Sequence, residues 1–156
     1  MADDTNAPQG QPSFTIEHIY LKDCSFESPL SPGVFTSQME PPEASVNIQT
    51  QINALEGRED AREVVLSVTV EAVSDERSIF MCEVHMAALV TLFADTEDTL
   101  NRLLGIHVPE TLFPYVRQGV ADLVMRGGFM PMLLQPIDFH AIYEQRSNSG
   151  EVMLDS

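Results

Sequence analysis

Cysteine, histidine and carboxylate side chains are the candidates for chemistry in this sequence, because they bind metals and act as nucleophiles, acids and bases. Cys82 and His85 are three positions apart. On a β-strand this spacing places the side chains on opposite faces, so we do not expect them to bind one metal. Asp138 and His140 are a candidate acid and base, but no Ser or Cys stands in a nucleophile elbow. We therefore predict no catalytic residue, no metal site and no cofactor, with Asp138 as a helix N-cap.

The remaining features favour a binding module. Gly127 and Gly128 follow a predicted helix, whereas the glycines of a phosphate-binding loop precede one. The chain has eight methionines, whose unbranched thioether side chains adapt to varied apolar partners. Three of these lie in proline-rich segments where they could line a groove: Met39, Met130 and Met132. The proline-rich segment over 28–42, which includes Phe35, is a candidate wall of that groove.

Alternating patterns predict the strands that position these residues. Polar and apolar residues alternate over 45–53, 63–73 and 78–90, which is the period of strands with one solvated face. A further strand is predicted over 14–27, with apolar residues on both faces, and such a strand needs a second surface to cover. In 78–90 the expected outward residues are Ile79, Met81, Glu83 and His85, and the expected inward ones are Phe80, Cys82, Val84, Met86 and Ala88.

The period changes to that of helices after residue 95. Thr96 is a predicted N-cap followed by two acidic residues, and Gly105 is a predicted stop. A longer helix is predicted from Pro109 to Gly127, followed by a short one from about Asp138 to Arg146. Gly119, beside the apolar stripe of the longer helix, predicts a close helix contact. Four strands followed by helices define an α+β domain.

Composition narrows the class of partner. The chain has 24 acidic and 8 basic residues, for a formal charge of −16. We do not expect nucleic acid or an anionic membrane as a partner, because both need Lys and Arg, whereas a basic partner would be attracted. Two cysteines and the lack of a hydrophobic segment predict a cytoplasmic protein without a secretory signal or membrane span. Residues 1–13 and 147–156 are predicted to be flexible tails around a domain over 14–146.

Between Phe14 and Arg146 the chain resembles the SecB family of protein-export chaperones. The similar segments keep the order and spacing of the family: IYLKDCSFESP (19–29), GVF (33–35), EVVLSVTV (63–70), IFMCEV (79–84), LFPYVR (112–117) and GGFMPMLLQPIDFHAIY (127–143). The resemblance implies a four-stranded antiparallel sheet with a long helix and a short C-terminal helix. Two such protomers would form a dimer, and two dimers would pack through their long helices into a tetramer. This assembly would cover the first strand and the apolar helix stripe.

The resemblance also implies a function and its residues. SecB-like proteins hold unfolded precursors in apolar grooves without ATP and deliver them to the export motor SecA. The residues that match the client groove are Phe35, Met39, Phe80, Phe139 and Tyr143, with Met39 where the family usually has tryptophan. An acidic surface that receives the basic, zinc-bearing tail of SecA would include Asp23, Glu27, Met81 and Glu83. Two alternatives stay open: a small-molecule enzyme that uses Asp138 and His140, and a dedicated chaperone of a toxin-antitoxin system.

Overall fold

The alternating segments form a four-stranded antiparallel sheet in the computed structural model, which describes residues 11–148. The strands are β1 (Ser13–Glu27), β2 (Glu43–Leu55), β3 (Arg58–Ser74) and β4 (Arg77–Phe93), in the spatial order β1-β4-β3-β2. Tight turns join β2 to β3 and β3 to β4. The chain must cross from one edge of the sheet to the other between β1 and β2. This crossover over 28–42 contains a single helical turn, α1 (Gly33–Thr36), which the sequence pattern did not predict.

One face of the sheet, which we call the inner face, is covered by helices. The covering segment consists of α2 (Glu97–Arg102), a π-helical turn over Leu103–His107 and α3 (Val108–Arg126), and α4 (Phe139–Asn148) follows. The side chains of α3 that are buried against the sheet include Leu112, Val116, Val120 and Val124. The apolar stripe is therefore largely covered within one chain, and the expectation that a second subunit covers it is wrong. Gly119 makes the predicted close contact, but with the sheet, since a Cβ there would lie 3.2 Å from Val84 Cγ1.

The predicted break at Gly105 is also wrong, because the helix continues through this residue. A glycine inside a helix costs about 1 kcal/mol relative to alanine. Burial of one aliphatic side chain contributes about 1.5–3 kcal/mol, and Leu104 and Ile106 on either side of the glycine are both buried. Packing against the sheet thus outweighs the helix-breaking tendency. The wide π-helical turn ends just before Pro109, which has no N–H to donate to a preceding carbonyl.

Both predicted helix caps are confirmed. The side chain of Thr96 accepts the backbone N–H of Thr99 at 3.1 Å, at the start of α2. The carboxylate of Asp138 accepts the backbone N–H of Ala141 at 3.1 Å, at the start of α4. None of the described helices is long and apolar enough to cross a membrane. The predicted tails over 1–13 and 147–156 lie outside the described residues, except for 11–13 and 147–148.

A β-bulge changes the alternation at the start of β4. Ala72 is opposite Phe80 and Val73 is opposite Ser78, so Ile79 is an extra residue in β4. An inserted residue breaks the two-residue alternation of the strand. Ile79 is 3% exposed and packs in the core with Phe80, so its predicted outward position is wrong. The side chains of Ile79 and Phe80 therefore both lie on the inner face at this end of the sheet.

Candidate functional site: an apolar groove and an acidic face

An apolar groove lies between the crossover over 28–42, the inner face of β2 and the segment over 128–137. Its larger cavity has a volume of about 560 Å³ and is lined by Val34, Phe35, Ser37, Met39, Glu40, Pro42, Ala44, Ala72, Ile79, Phe80, Gly128, Phe129, Met130 and Met132. Its smaller cavity, of about 310 Å³, is lined by Val46, Ile48, Met132, Leu133, Leu134, Gln135, Pro136 and Ile137. Met132 contributes to both cavities, so they adjoin. We call the two cavities together the groove.

The groove is open to solvent along much of its length. Phe35 is 53% exposed, Met130 88% and Leu133 70%, although all three are large apolar residues. Exposed apolar side chains gathered at one place are typical of a surface that binds an apolar partner. The methionines contribute flexible side chains that can adapt to partners of different shape.

An aromatic cluster forms the floor of the larger cavity. Phe26 stacks on Phe80 with ring centroids 5.7 Å apart, and Phe129 lies 5.1 Å from Phe80 and 5.3 Å from Phe35. Gly127 allows this arrangement, because a Cβ at that position would lie 2.2 Å from Phe26 Cζ. The four rings come from β1, the crossover, β4 and the segment after α3. They therefore lie together only when the whole domain is folded.

An edge strand runs beside the groove. Within residues 11–148, β2 pairs with β3 on one side and has no strand partner on the other. Ala44, Val46 and Ile48 line the groove from this strand. An unpaired edge offers backbone N–H and C=O groups to a peptide in an extended conformation. Apolar cavities beside such an edge provide pockets for alternate side chains of the peptide.

Three of the five residues predicted for the client groove lie in it: Phe35, Met39 and Phe80. The structure does not bring the other two to either cavity. Phe139 is 3% exposed and packs edge-on against Phe113 at 6.1 Å between ring centroids. Tyr143 lies beneath the guanidinium of Arg102, with 5.4 Å from Cζ to the ring centroid.

Sequence reasoning missed Phe129 as a groove residue, although it is central to the aromatic cluster. Its position directly after Gly127 and Gly128 was the available signal, because two glycines permit close approach of neighbouring rings. Gly128 has a φ of +90°, a conformation that a residue with a Cβ rarely adopts. A Cβ there would also lie 2.9 Å from Phe35 Cζ.

The sheet surface opposite the helices, the outer face, carries the predicted acidic residues. Residues that are directly opposite in an antiparallel pair share a face. Glu27 is opposite Met81, Ser25 is opposite Glu83, and Asp23 is opposite His85. The four predicted residues therefore lie together, and we call this region the acidic face. Glu71 of β3, which is opposite Met81 on the other side, extends it and was not predicted.

A neutralised cluster borders the acidic face on the same side of the sheet. The Glu63 carboxylate accepts hydrogen bonds from Lys22 Nζ at 2.6 Å, from Asn53 Nδ2 at 2.8 Å and from the Tyr20 hydroxyl. Burial acts to raise the pKa of Glu63, but the hydrogen bonds from Lys22, Tyr20 and Asn53 lower it overall. Burial, with the adjacent Glu63 carboxylate, raises the pKa of Tyr20 to about 12. Because Lys22 compensates the charge of Glu63, this cluster adds little to the negative charge of the acidic face.

The residues considered for catalysis are not arranged as an acid and base pair. Asp138 caps α4, and His140 instead faces Glu110, with 3.9 Å between His140 Nε2 and the Glu110 carboxylate. Neither residue lines the groove. Cys82 lies on the inner face, where burial raises the pKa of its thiol to about 11, and His85 lies on the outer face. Among residues 11–148, no group of three or more His, Cys, Asp and Glu is placed to hold a metal ion.

An open apolar groove beside an unpaired strand edge is typical of proteins that bind extended peptides. Comparison with known proteins identifies the family. The family model of the preprotein translocase subunit SecB matches residues 7–150. The chain therefore belongs to the SecB family, and the predicted relation to protein-export chaperones is confirmed.

The most similar curated relatives include protein-export proteins SecB from two bacteria. The protein of Stenotrophomonas maltophilia is 42% identical over 144 residues, which cover 90% of this chain and 82% of the relative. That of Acidithiobacillus ferrooxidans is 46% identical over 132 residues, which cover 85% of this chain and 88% of the relative. These identities extend over most of each chain, so the likeness concerns the whole domain.

A solved structure has a similar fold. It is the SecB-like chaperone Rv1957 of Mycobacterium tuberculosis in complex with a ChAD peptide from the Rv1956 HigA1 antitoxin. The TM-score is 0.66 at 19% sequence identity, over 80% of this chain and 90% of that chain. At this identity the comparison shows the fold, and it confirms the predicted α+β class.

Proposed function

We propose that the groove holds apolar segments of unfolded precursor proteins and keeps these clients competent for export. The observation that carries this proposal is the exposure of Phe35, Met130 and Leu133 around one groove in a member of the SecB family. Each client side chain that becomes buried contributes about 1.5–3 kcal/mol of apolar transfer free energy. Binding of the unfolded state alone shifts the folding equilibrium by mass action, so no ATP is needed. The domain over 14–146 performs this function in the cytoplasm, without catalysis.

A substitution in the groove tests the proposal. Phe35→Ser removes an exposed ring of the groove wall, and its matched control is Phe93→Ser, since Phe93 is equally exposed at 53% but lies at the far end of β4. We expect Phe35→Ser to weaken binding of an unfolded client by about tenfold, which corresponds to about 1.4 kcal/mol. Titration calorimetry with a permanently unfolded client measures this, and suppression of aggregation is the functional assay. Equal affinities of the two variants would show that clients bind elsewhere.

The acidic face is proposed as the binding site of the basic C-terminal tail of SecA, and the zinc in that tail would belong to SecA. Asp23, Glu27 and Glu83 supply negative charge, and Met81, which is 37% exposed, supplies an apolar contact. The acidic face and the groove lie on opposite sides of the same sheet. A client in the groove therefore leaves the acidic face free for SecA.

Charge reversal on the acidic face tests whether SecA and the client bind to different surfaces. In the double variant Asp23→Lys with Glu83→Lys we expect at least a tenfold loss of SecA affinity at low ionic strength, because two attractions become repulsions. Client binding should stay within about twofold of the wild type. The control Glu56→Lys with Glu144→Lys makes the same change of net charge at exposed positions away from this face. Unchanged SecA affinity in the first variant, measured by calorimetry, would disprove the assignment.

The chain is further proposed to assemble as a dimer of dimers. β1 is the other edge of the sheet within the described chain, and Leu21, Tyr115 and Met125 expose apolar side chains on β1 and α3. Exposed edges and apolar side chains are normally covered in an oligomer. Native mass spectrometry should give about four times the chain mass of 17.3 kDa.

The 42–46% identity to protein-export proteins favours export clients over the toxin-antitoxin alternative.

A further inference from the structure

A histidine lies in the middle of the acidic face. His85 of β4 is opposite Asp23 of β1 and opposite Ser67 of β3. Its Nδ1 is 2.6 Å from Ser67 Oγ, and its Nε2 is 3.1 Å from the Glu83 carboxylate. Both ring nitrogens therefore have polar partners, and one of these partners is a residue of the proposed SecA site.

The chemistry of these partners determines where the protons are. A carboxylate has no proton to donate, so in the neutral imidazole the proton belongs on Nε2, which lies 3.1 Å from the Glu83 carboxylate. In the neutral imidazole Nδ1 is then an acceptor, and the Ser67 hydroxyl donates to it. The hydrogen bond with Ser67 orients the imidazole, so that its Nε2 lies beside the carboxylate of Glu83 on the sheet surface. A second proton on the ring would place a positive charge 3.1 Å from this carboxylate, and Ser67 would become the acceptor.

The groups around His85 make the surface sensitive to that second proton. Asp23 faces it from β1 and Glu83 from β4, and both are carboxylates. On the β3 and β2 side the same row of the sheet holds Ser67 and then Gln49, which are uncharged. Lys22, a basic residue of β1, is paired with Glu63. No described cation in this row thus offsets the two carboxylates when the imidazole is neutral.

We propose that His85 positions Glu83 for a basic peptide and lowers the affinity of the acidic face for that peptide as the pH falls. The proposal rests on the proposed function of the acidic face. Histidine is the side chain whose charge ordinarily changes between pH 5 and 8. One added positive charge between two exposed carboxylates lowers the affinity for a cationic peptide by about threefold to fivefold.

The test uses the full chain and a synthetic peptide that contains Lys, Arg and apolar residues but no histidine. Titration calorimetry at pH 7.5 and pH 5.5, at one low ionic strength, gives the pH dependence of the affinity. For the wild type we expect the stated threefold to fivefold loss at the lower pH. His85→Gln keeps an N–H donor without a titrating ring, so its affinity at pH 7.5 should stay within about twofold and its pH dependence should disappear. His18→Gln is the matched control, because His18 is exposed on the same strand as Asp23 and opposite Leu89.

The outcomes distinguish the two proposals. Loss of the pH dependence in His85→Gln but not in His18→Gln supports the role of His85. A His85→Gln variant with the wild-type pH dependence overturns it, while the acidic face stands as the binding site. Absence of binding by the wild type at both pH values refutes the acidic face itself and this proposal with it. His85→Asn provides a second uncharged variant if thermal unfolding shows that His85→Gln does not fold.

Discussion

The substitution Gly127→Ala tests whether the aromatic floor of the groove depends on the absence of one methyl group. A Cβ at Gly127 would lie 2.2 Å from Phe26 Cζ and 2.4 Å from Phe26 Cε1. Carbon atoms in contact are normally about 3.5–4.0 Å apart, so the ring would have to move by more than about 1 Å. Phe26 is stacked on Phe80 and lies beside Phe129, with 6.4 Å between the Phe26 and Phe129 centroids. It therefore cannot move without disturbing the other rings.

Two opposing contributions set the change in the free energy of unfolding of Gly127→Ala. Overpacking of a core costs about 1–3 kcal/mol. Replacement of glycine by alanine gains about 0.4–1 kcal/mol by restricting the unfolded chain, and the φ of −75° at Gly127 permits alanine. We expect a net loss of about 1–2 kcal/mol in the free energy of unfolding. For a domain of this size that is a fall of about 2–8 °C in the melting temperature.

The assay is urea unfolding at fixed protein concentration, with client affinity as the second measurement. Gly33→Ala is the matched control, because a Cβ at Gly33 would have no heavy atom within 4 Å other than those of its chain neighbours and its own helical turn. The Gly33→Ala variant should show only the gain in the free energy of unfolding that comes from restricting the unfolded chain. The double variant Gly127→Ala with Phe26→Leu should lose about 1 kcal/mol less than the sum of its single variants, because leucine vacates part of the ring's volume. If Gly127→Ala is as stable as Gly33→Ala, the close contact does not constrain the cluster and the reasoning fails.

Two further predictions concern stability. Asp75 and Glu76 form the β3–β4 turn with φ values of 51° and 62°, so Glu76→Gly should raise the free energy of unfolding by about 0.5–1 kcal/mol. Glu76→Ala removes the same charge but keeps the Cβ, and an equal effect of both substitutions in urea unfolding would contradict the backbone explanation. Burial and the Glu63 carboxylate raise the pKa of Tyr20 from 10.0 to about 12. As the pH rises, the Tyr20 hydroxyl therefore loses its proton in the unfolded chain before it does so in the folded protein. The contribution of Tyr20 to the free energy of unfolding is complete below pH 10 and is lost as the pH rises from 10 to about 12. Tyr20→Phe should reduce that loss in unfolding experiments at pH 9 to 11, whereas Tyr115→Phe, at an exposed position, should not.

The strands and caps could be predicted because they depend on neighbours in the sequence. The alternation over 45–53 is the pattern of a strand with Val46, Ile48 and Ile52 on one face and polar residues on the other. Thr96 and Asp138 cap helices by contacts three residues away, which a local pattern also contains. For the acidic face, local spacing places Asp23 with Glu27, and Met81 with Glu83, on one side of their strands, whereas the pairing of β1 with β4 that joins them is known only from the structure.

The errors arose where tertiary packing decides between local options. Gly105 was predicted to end a helix, but burial of its neighbours keeps the chain helical. Ile79 was placed outward by strict alternation, and only the register of β3 against β4 reveals the bulge at this position. Phe139 and Phe129 are both aromatic residues near the predicted groove. Which of them lines it depends on where the segment after α3 lies, and no local pattern contains that information.

The arrangement of the two proposed binding surfaces follows from the geometry of β4. Successive residues of a strand point to opposite faces, so Phe80 lines the groove while Met81 and Glu83 lie on the acidic face. Cys82 between them belongs to the buried core. Because the core of the sheet separates the surfaces, a peptide on the acidic face cannot contact a client in the groove directly. Any influence of one surface on the other must pass through the sheet and its core, and β4 contributes residues to both surfaces on either side of its bulge at Ile79.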